Sequence, residues 1–207
     1  MQFIEFQKWG WNAISISFIG TIIFGLILGW GLFHQIKTIR KTDSAKSIPV
    51  IMSLYFAFHF FTFSVYGFRQ HSLAMMINGS LGILWLGIYI SATHRPDSLG
   101  RTKLESLFVV LPIVMSLMEE PSILMTIMFV IASTILLDLP RQILQNKNSG
   151  SVDPKFLLCF ICSSIFWAIY SACVLEWQLF ITNIFGIFVM TLTLYLCAKY
   201  KEKTVNI

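Results

Sequence analysis

Asn78 and Asn183 are the side chains of this sequence best suited to hold a small polar molecule, because each amide carries two donors and an acceptor with two lone pairs. Glycine follows both, at Gly79 and Gly82 after the first and at Gly186 after the second. Trp167 and Phe63 complete the set, since a flat ring offers an apolar wall to the CH face of a hydroxyl-rich solute. Taken singly, the same residues are hydrogen-bond glue between helices and lipid-facing filler. Other chemistry finds little support. Cys159 and Cys162 have metal-motif spacing but no second pair, and no nucleophile–base pair or phosphate loop stands at credible spacing. No metal, cofactor or enzymatic activity is therefore expected.

The elements that must carry these residues are membrane helices. Mean hydropathy is +0.74 over 207 residues, of which 56% are apolar and 12% charged. Soluble domains carry about twice that charge, so a soluble fold, a disordered chain and a nucleic-acid partner are excluded. Crossing about 30 Å of hydrocarbon takes about 20 helical residues, which leaves room for roughly seven spans and no soluble domain. Apolar runs between charge clusters predict those spans at 12–34, 49–68, 72–92, 104–118, 121–140, 155–175 and 177–198. The first has no small-residue cleavage site after a short apolar core, so it is expected to stay as a span. The net charge of +5 is distributed unevenly. Lys37, Arg40, Lys41, Lys46, Arg95, Arg101, Lys103, Arg141, Lys147, Lys155, Lys199, Lys201 and Lys203 fall on one side, and only Lys8 and Arg69 on the other. Positive residues stay cytoplasmic during insertion, which predicts an external N-terminus and a cytoplasmic C-terminus in a plasma or inner membrane.

The first and last three spans read as one pattern written twice. Gln35, Ser44, Pro49, Phe63, Tyr66 and Asn78 have counterparts in Gln142, Ser151, Pro154, Trp167, Tyr170 and Asn183, at offsets of 104 to 107. A three-helix unit ends on the far side from its start, so the single helix between the units restores their common direction. The expected organisation is a first repeat over 1–95, a linker helix over 96–120 and a second repeat over 121–207.

At these residues the sequence resembles the SWEET (MtN3/saliva) transporters of the PQ-loop superfamily. Met76-Ile77-Asn78-Gly79-Ser80 resembles the asparagine–glycine motif of their third helix. Phe166-Trp167-Ala168-Ile169-Tyr170 with Thr182-Asn183-Ile184-Phe185-Gly186 resembles the matching stretch of helices six and seven. The segments at Gln35 and at Leu139-Pro140-Arg141-Gln142 resemble PQ loops. The resemblance implies an all-α, seven-span protein in a three-plus-one-plus-three plan that moves a sugar by alternating access, with homo-oligomers known among relatives. It also implies inner-end prolines that bend helices at Pro49, Pro140 and Pro154. His34 stands where the family has a further proline, leaving span one without that hinge residue.

Depth can be read independently of the family. Asn78 and Asn183 each lie six residues inside the outer end of a span, about 9 Å down, and Trp167 and Phe63 come out at a similar level. These four are the expected binding residues. Tyr66 and Tyr170 lie nearer the outer interface, as external gates or as members of an aromatic belt, and the Gln35 and Gln142 loops would move at the inner end. No Lys, Arg, Asp or Glu falls in the layer of the asparagines, which favours a neutral solute. Three ionisable groups leave a second reading open, a proton-coupled PQ-loop exporter of amino acids or cystine: His59 near mid-membrane, Asp138 about 5 Å from the inner face, and His34. Their plainer roles are packing for His59 and pairing with Arg141 for Asp138. A receptor-like or chaperone membrane protein on the same fold is the third reading.

Overall fold

The computed structural model describes residues 2–7, 9–97 and 108–201, and among them every regular element is helical. A 3-10 turn at Ile4–Phe6 precedes α1 (Ala13–Thr42), α2 (Val50–Arg69), α3 (Leu73–Gly79) and α4 (Gly82–Thr93). Then come α5 (Leu111–Leu117), α6 (Pro121–Leu136), α7 (Asp138–Asn146), α8 (Pro154–Cys173) and α9 (Trp177–Lys199). Among the described residues six helical stretches are long and apolar enough to cross a membrane, with α3–α4 and α6–α7 each forming one stretch. Of the expected fourth span, residues 104–107 lie outside the described residues, and α5 is its described part. Lys8, Arg101, Lys103 and Lys203 of the charge tally also lie outside them.

Local chemistry sets the helix boundaries. The Asn12 side chain caps α1 by accepting from the Ser15 amide at 3.0 Å. This helix runs eight residues past the expected end at 34, because Lys37, Arg40 and Lys41 are good helix formers and sit favourably at the negative end of its dipole. Asp153 caps α8 by accepting from the Lys155 amide at 2.9 Å, and Pro154 takes the first-turn position where no N–H is missed. Pro140 has no N–H for the Leu136 carbonyl, and the long stretch breaks at Leu137 into α6 and α7. Ser80 and Leu81 break the third stretch through a 3-10 turn, with the Ser80 amide on the Ile77 carbonyl at 3.1 Å.

In each half the third stretch packs between the other two: α4 touches α1 and α2, and α9 touches α6–α7 and α8. The halves meet along two seams, α1 against α8 and α2 against α6. The first is tight because α1 offers glycine to it. A Cβ on Gly31 would lie 2.8 Å from Cys159 Cβ and 3.2 Å from Phe156 Cα. Below, the end bearing the 43–49 and 147–153 loops is called the lower end, and the end bearing the Ile4–Phe6 turn the upper end.

Candidate functional site

Four helices enclose a cavity beside the α2/α6 seam. Each contributes one face at helical spacing: Phe56, His59, Phe60 and Phe63 from α2, and Phe129, Ala132, Ser133 and Leu136 from α6. Phe160, Ser164 and Trp167 come from α8, and Leu179, Thr182, Asn183 and Gly186 from α9. The Phe63 and Trp167 rings meet edge to face with centroids 5.4 Å apart. Among the described residues no Asp, Glu, Lys or Arg lines the cavity. Its volume is about 80 Å³, well short of roughly 300 Å³ at the small end of small-molecule sites. That is room for a few water molecules, and a larger solute would need the helices to part.

The polar groups of the cavity are partly committed. Asn183 donates one amide hydrogen to the Leu179 carbonyl at 2.8 Å. The hydroxyls of Ser133 and Thr182 donate to Phe129 and Gln178 carbonyls of their own helices, at 2.9 and 2.8 Å. His59 Nδ1 is buried without a hydrogen-bond partner in the protein, with Tyr55, Phe56, Phe60 and Phe129 rings around the imidazole. A buried polar atom left unpaired is costly, so this nitrogen stands out among the groups around the cavity.

Of the four expected binding residues, Phe63, Trp167 and Asn183 come together here, and Asn78 does not line the cavity. It donates to the Ala74 carbonyl at 3.1 Å, and its Oδ1 is buried without a partner. The reason is Gly25 on α1: a Cβ there would sit 2.2 Å from Asn78 Oδ1, so the missing side chain is the space the amide fills. Asn78 is thus packed under α1. His59 lines the cavity. Asp138 lies on α7 and pairs loosely with Arg141 at 3.8 Å, and His34 Nδ1 lies 3.6 Å from Asp153 Oδ2 at the lower end; neither reaches the cavity.

Hydrogen bonds join the halves at both ends. At the lower end Gln35 Nε2 donates to the Ser151 carbonyl at 2.7 Å, and Gln35 Oε1 accepts from the Asp153 amide at 2.8 Å. The Ser151 hydroxyl donates to the Ser44 carbonyl at 2.8 Å, and the Ser151 amide to the Lys46 carbonyl at 3.0 Å. Gln142, the counterpart of Gln35, has its Oε1 buried and unpartnered. Pro49 caps α2 beside this contact, where Pro154 opens α8. At the upper end Tyr66 and Tyr170 are both buried, which separates them from an aromatic belt facing lipid. The Tyr66 hydroxyl donates to Glu176 Oε1 at 3.3 Å and the Tyr170 hydroxyl to Glu5 Oε1 at 2.7 Å. Burial beside Tyr66 pushes the Glu176 carboxyl above the ordinary glutamate range.

Sequence reading missed Ser133, Ser164, Thr182, Glu5, Glu176 and Asp153. A signal existed for three of them. Ser164 lies three residues before Trp167, one turn away on its face; Thr182 adjoins Asn183; and Asp153 directly precedes a proline that opens a helix.

Residues 121–205 match a family model, MtN3_slv, described as sugar efflux transporter for intercellular exchange. No curated protein matches the chain. A solved structure of a eukaryotic SWEET transporter, determined at 3.7 Å resolution, is similar with a TM-score of 0.59 and 15% sequence identity, covering 91% of this chain and 96% of that one. At that identity the likeness speaks for the fold. The chain is a multi-pass membrane protein with a SWEET-like helical fold.

Proposed function

From the match of residues 121–205 to the MtN3_slv model, described as a sugar efflux transporter, and the SWEET-like fold of the chain, we propose that this protein moves a small neutral sugar across a membrane by alternating access. The carrying observation is the cavity: uncharged, walled by the Phe63 and Trp167 rings, with Asn183 at its edge and closures at both ends. A neutral polyhydroxylated solute stacks its CH face on the indole and takes hydrogen bonds from Asn183 and the unpaired His59 nitrogen. In the mechanism we favour, the three-helix repeats rock as units about this cavity within the seven-span, three-plus-one-plus-three plan. The upper end, external in the orientation read from the lysines and arginines, opens when the Tyr66 and Tyr170 bonds release; the lower end opens when the Gln35 contact separates. Pro49, Pro140 and Pro154 supply bending points, and downhill flux needs no cofactor.

Uptake of labelled mono- and disaccharides into proteoliposomes tests this, with and without an imposed proton gradient. Sugar exchange indifferent to the gradient is the expected result; absence of exchange with every sugar sinks the proposal. His59 in the cavity favours one second reading, proton-coupled export of amino acids or cystine. Amino-acid flux driven by an acid gradient and lost in His59→Gln would establish it instead.

A further inference from the structure

The mechanism above uses Tyr170 but leaves unexplained the acid it touches. Glu5 belongs to the short N-terminal turn and is wholly buried. Its carboxylate accepts from the Tyr170 hydroxyl at 2.7 Å and the Ser72 hydroxyl at 2.8 Å, both on Oε1. The Ala74 amide reaches the same oxygen at 3.1 Å, and the Leu73 amide reaches Oε2 at 3.1 Å. The Ile4 amide donates to the His71 carbonyl at 2.9 Å, fixing the turn against the 70–72 corner. Three pieces of chain therefore meet at one carboxylate: the N-terminal segment, the start of α3 in the first repeat, and α8 in the second.

A carboxylate out of water is tolerated only while its acceptor sites are filled, and bonds to a charged acceptor are about twice as strong as neutral ones. Parting α8 from α3 at the upper end removes the Tyr170 donor and opens the site to water. Closure restores it. We propose that Glu5 is a positioning residue of transport, a latch that holds Tyr170 against the first repeat and biases the upper end toward closure, so that its release accompanies opening. The inference rests on the alternating-access reading above and adds to it a residue that precedes the first spanning helix.

The test reads accessibility, which needs no solute. In a variant with the four cysteines replaced by serine, Leu179→Cys reports the upper rim of the cavity and Met52→Cys, in a separate protein, the lower constriction. A membrane-impermeant thiol reagent is applied from the side bearing the N-terminus for the first and from the opposite side for the second. Adding Glu5→Ala is expected to raise the labelling rate at 179 on the order of tenfold, while labelling at 52 falls or holds. Tyr170→Phe, which deletes one hydroxyl, is expected to act in the same direction and carries the test if Glu5→Ala does not fold. An unchanged rate at 179 in both variants overturns the latch. So does an equal rise at both reporters, which is the mark of general loosening. A latch signature in a protein that exchanges no sugar leaves the latch standing and removes the sugar reading; sugar exchange with unchanged labelling does the reverse.

Discussion

The two seams between the halves are built from corresponding helices yet do opposite things. Along α1/α8, Gly20 and Gly31 let the partner close in: a Cβ at 20 would meet Phe166 Cδ1 at 2.3 Å, and one at 31 would meet Cys159 Cβ at 2.8 Å. Along α2/α6 the corresponding stretch, 121–146, has no glycine. Phe129 there meets His59 and Phe63 with ring centroids 5.4 and 6.4 Å away, and the cavity lies beside them. Of the two seams, the one lined by larger side chains holds the cavity and the glycine-bearing one does not. The asparagines follow the same division, with Asn78 tucked against Gly25 and Asn183 at the cavity.

The asparagine pair offers the sharpest test of that division. Asn183→Ala is expected to reduce sugar exchange in proteoliposomes by at least an order of magnitude, the scale of losing a good polar contact to a solute. Asn78→Ala should keep most of the exchange, since its amide faces α1. Equal losses would mean that both halves line the pathway and would erase the contrast. The seams themselves come next. Gly31→Ala should destabilise the protein by about 1–3 kcal/mol through overpacking, read as a lower thermal midpoint in detergent. Ala132→Gly, on the spaced seam, should cost about 1 kcal/mol from helix propensity alone; a larger cost than at Gly31 would invert the comparison.

A smaller difference is expected between the two loop glutamines. Gln35→Ala removes both bonds to the 151–153 segment and should lower stability by about 1–3 kcal/mol. Gln142→Leu replaces a glutamine whose buried oxygen is unpaired and should be neutral or stabilising, as thermal unfolding would show. The least effect belongs to pH. Because burial raises the Glu176 carboxyl, the folded state binds that proton more tightly than the unfolded chain does. Its contribution to stability is present below the ordinary glutamate range and is lost as pH rises through the raised value. Glu176→Gln should remove that slope in unfolding midpoints measured across acidic pH, and a slope of the same size in the variant would assign it to another group.

Much of this architecture is legible in residue order. Apolar runs located the six stretches because hydropathy does not depend on which neighbours a helix finds; their starts, at Val50, Leu73, Pro121, Pro154 and Trp177, lie within a residue of expectation. The ends were less legible. The lower end of α1 reaches Thr42 because charged residues extend a helix past the apolar run that announces it. Pairing Asn78 with Asn183 by offset described a kinship of sequence, but which amide faces a cavity depends on how each helix is rotated about its axis. That rotation is set by contacts a hundred residues away, such as Gly25 under Asn78. Glu5 looked like one more acid on a terminal segment, and its burial follows from Tyr170, which no local pattern connects to it.

Composition, run length and internal repetition alone determine a multi-span helical protein with two asparagines, an indole and a phenyl ring as its candidate solute contacts. These are one-dimensional properties, carried by single residues and their spacing. Only the tertiary structure decided that the cavity lies on the α2/α6 side, that Asn78 and Asp138 stand away from it while His59 lines it, and that Gln35 is bonded where Gln142 is not. Each of those is a matter of which side-chain volumes and hydrogen-bond partners meet across helices, and such meetings exist only once the whole bundle has packed.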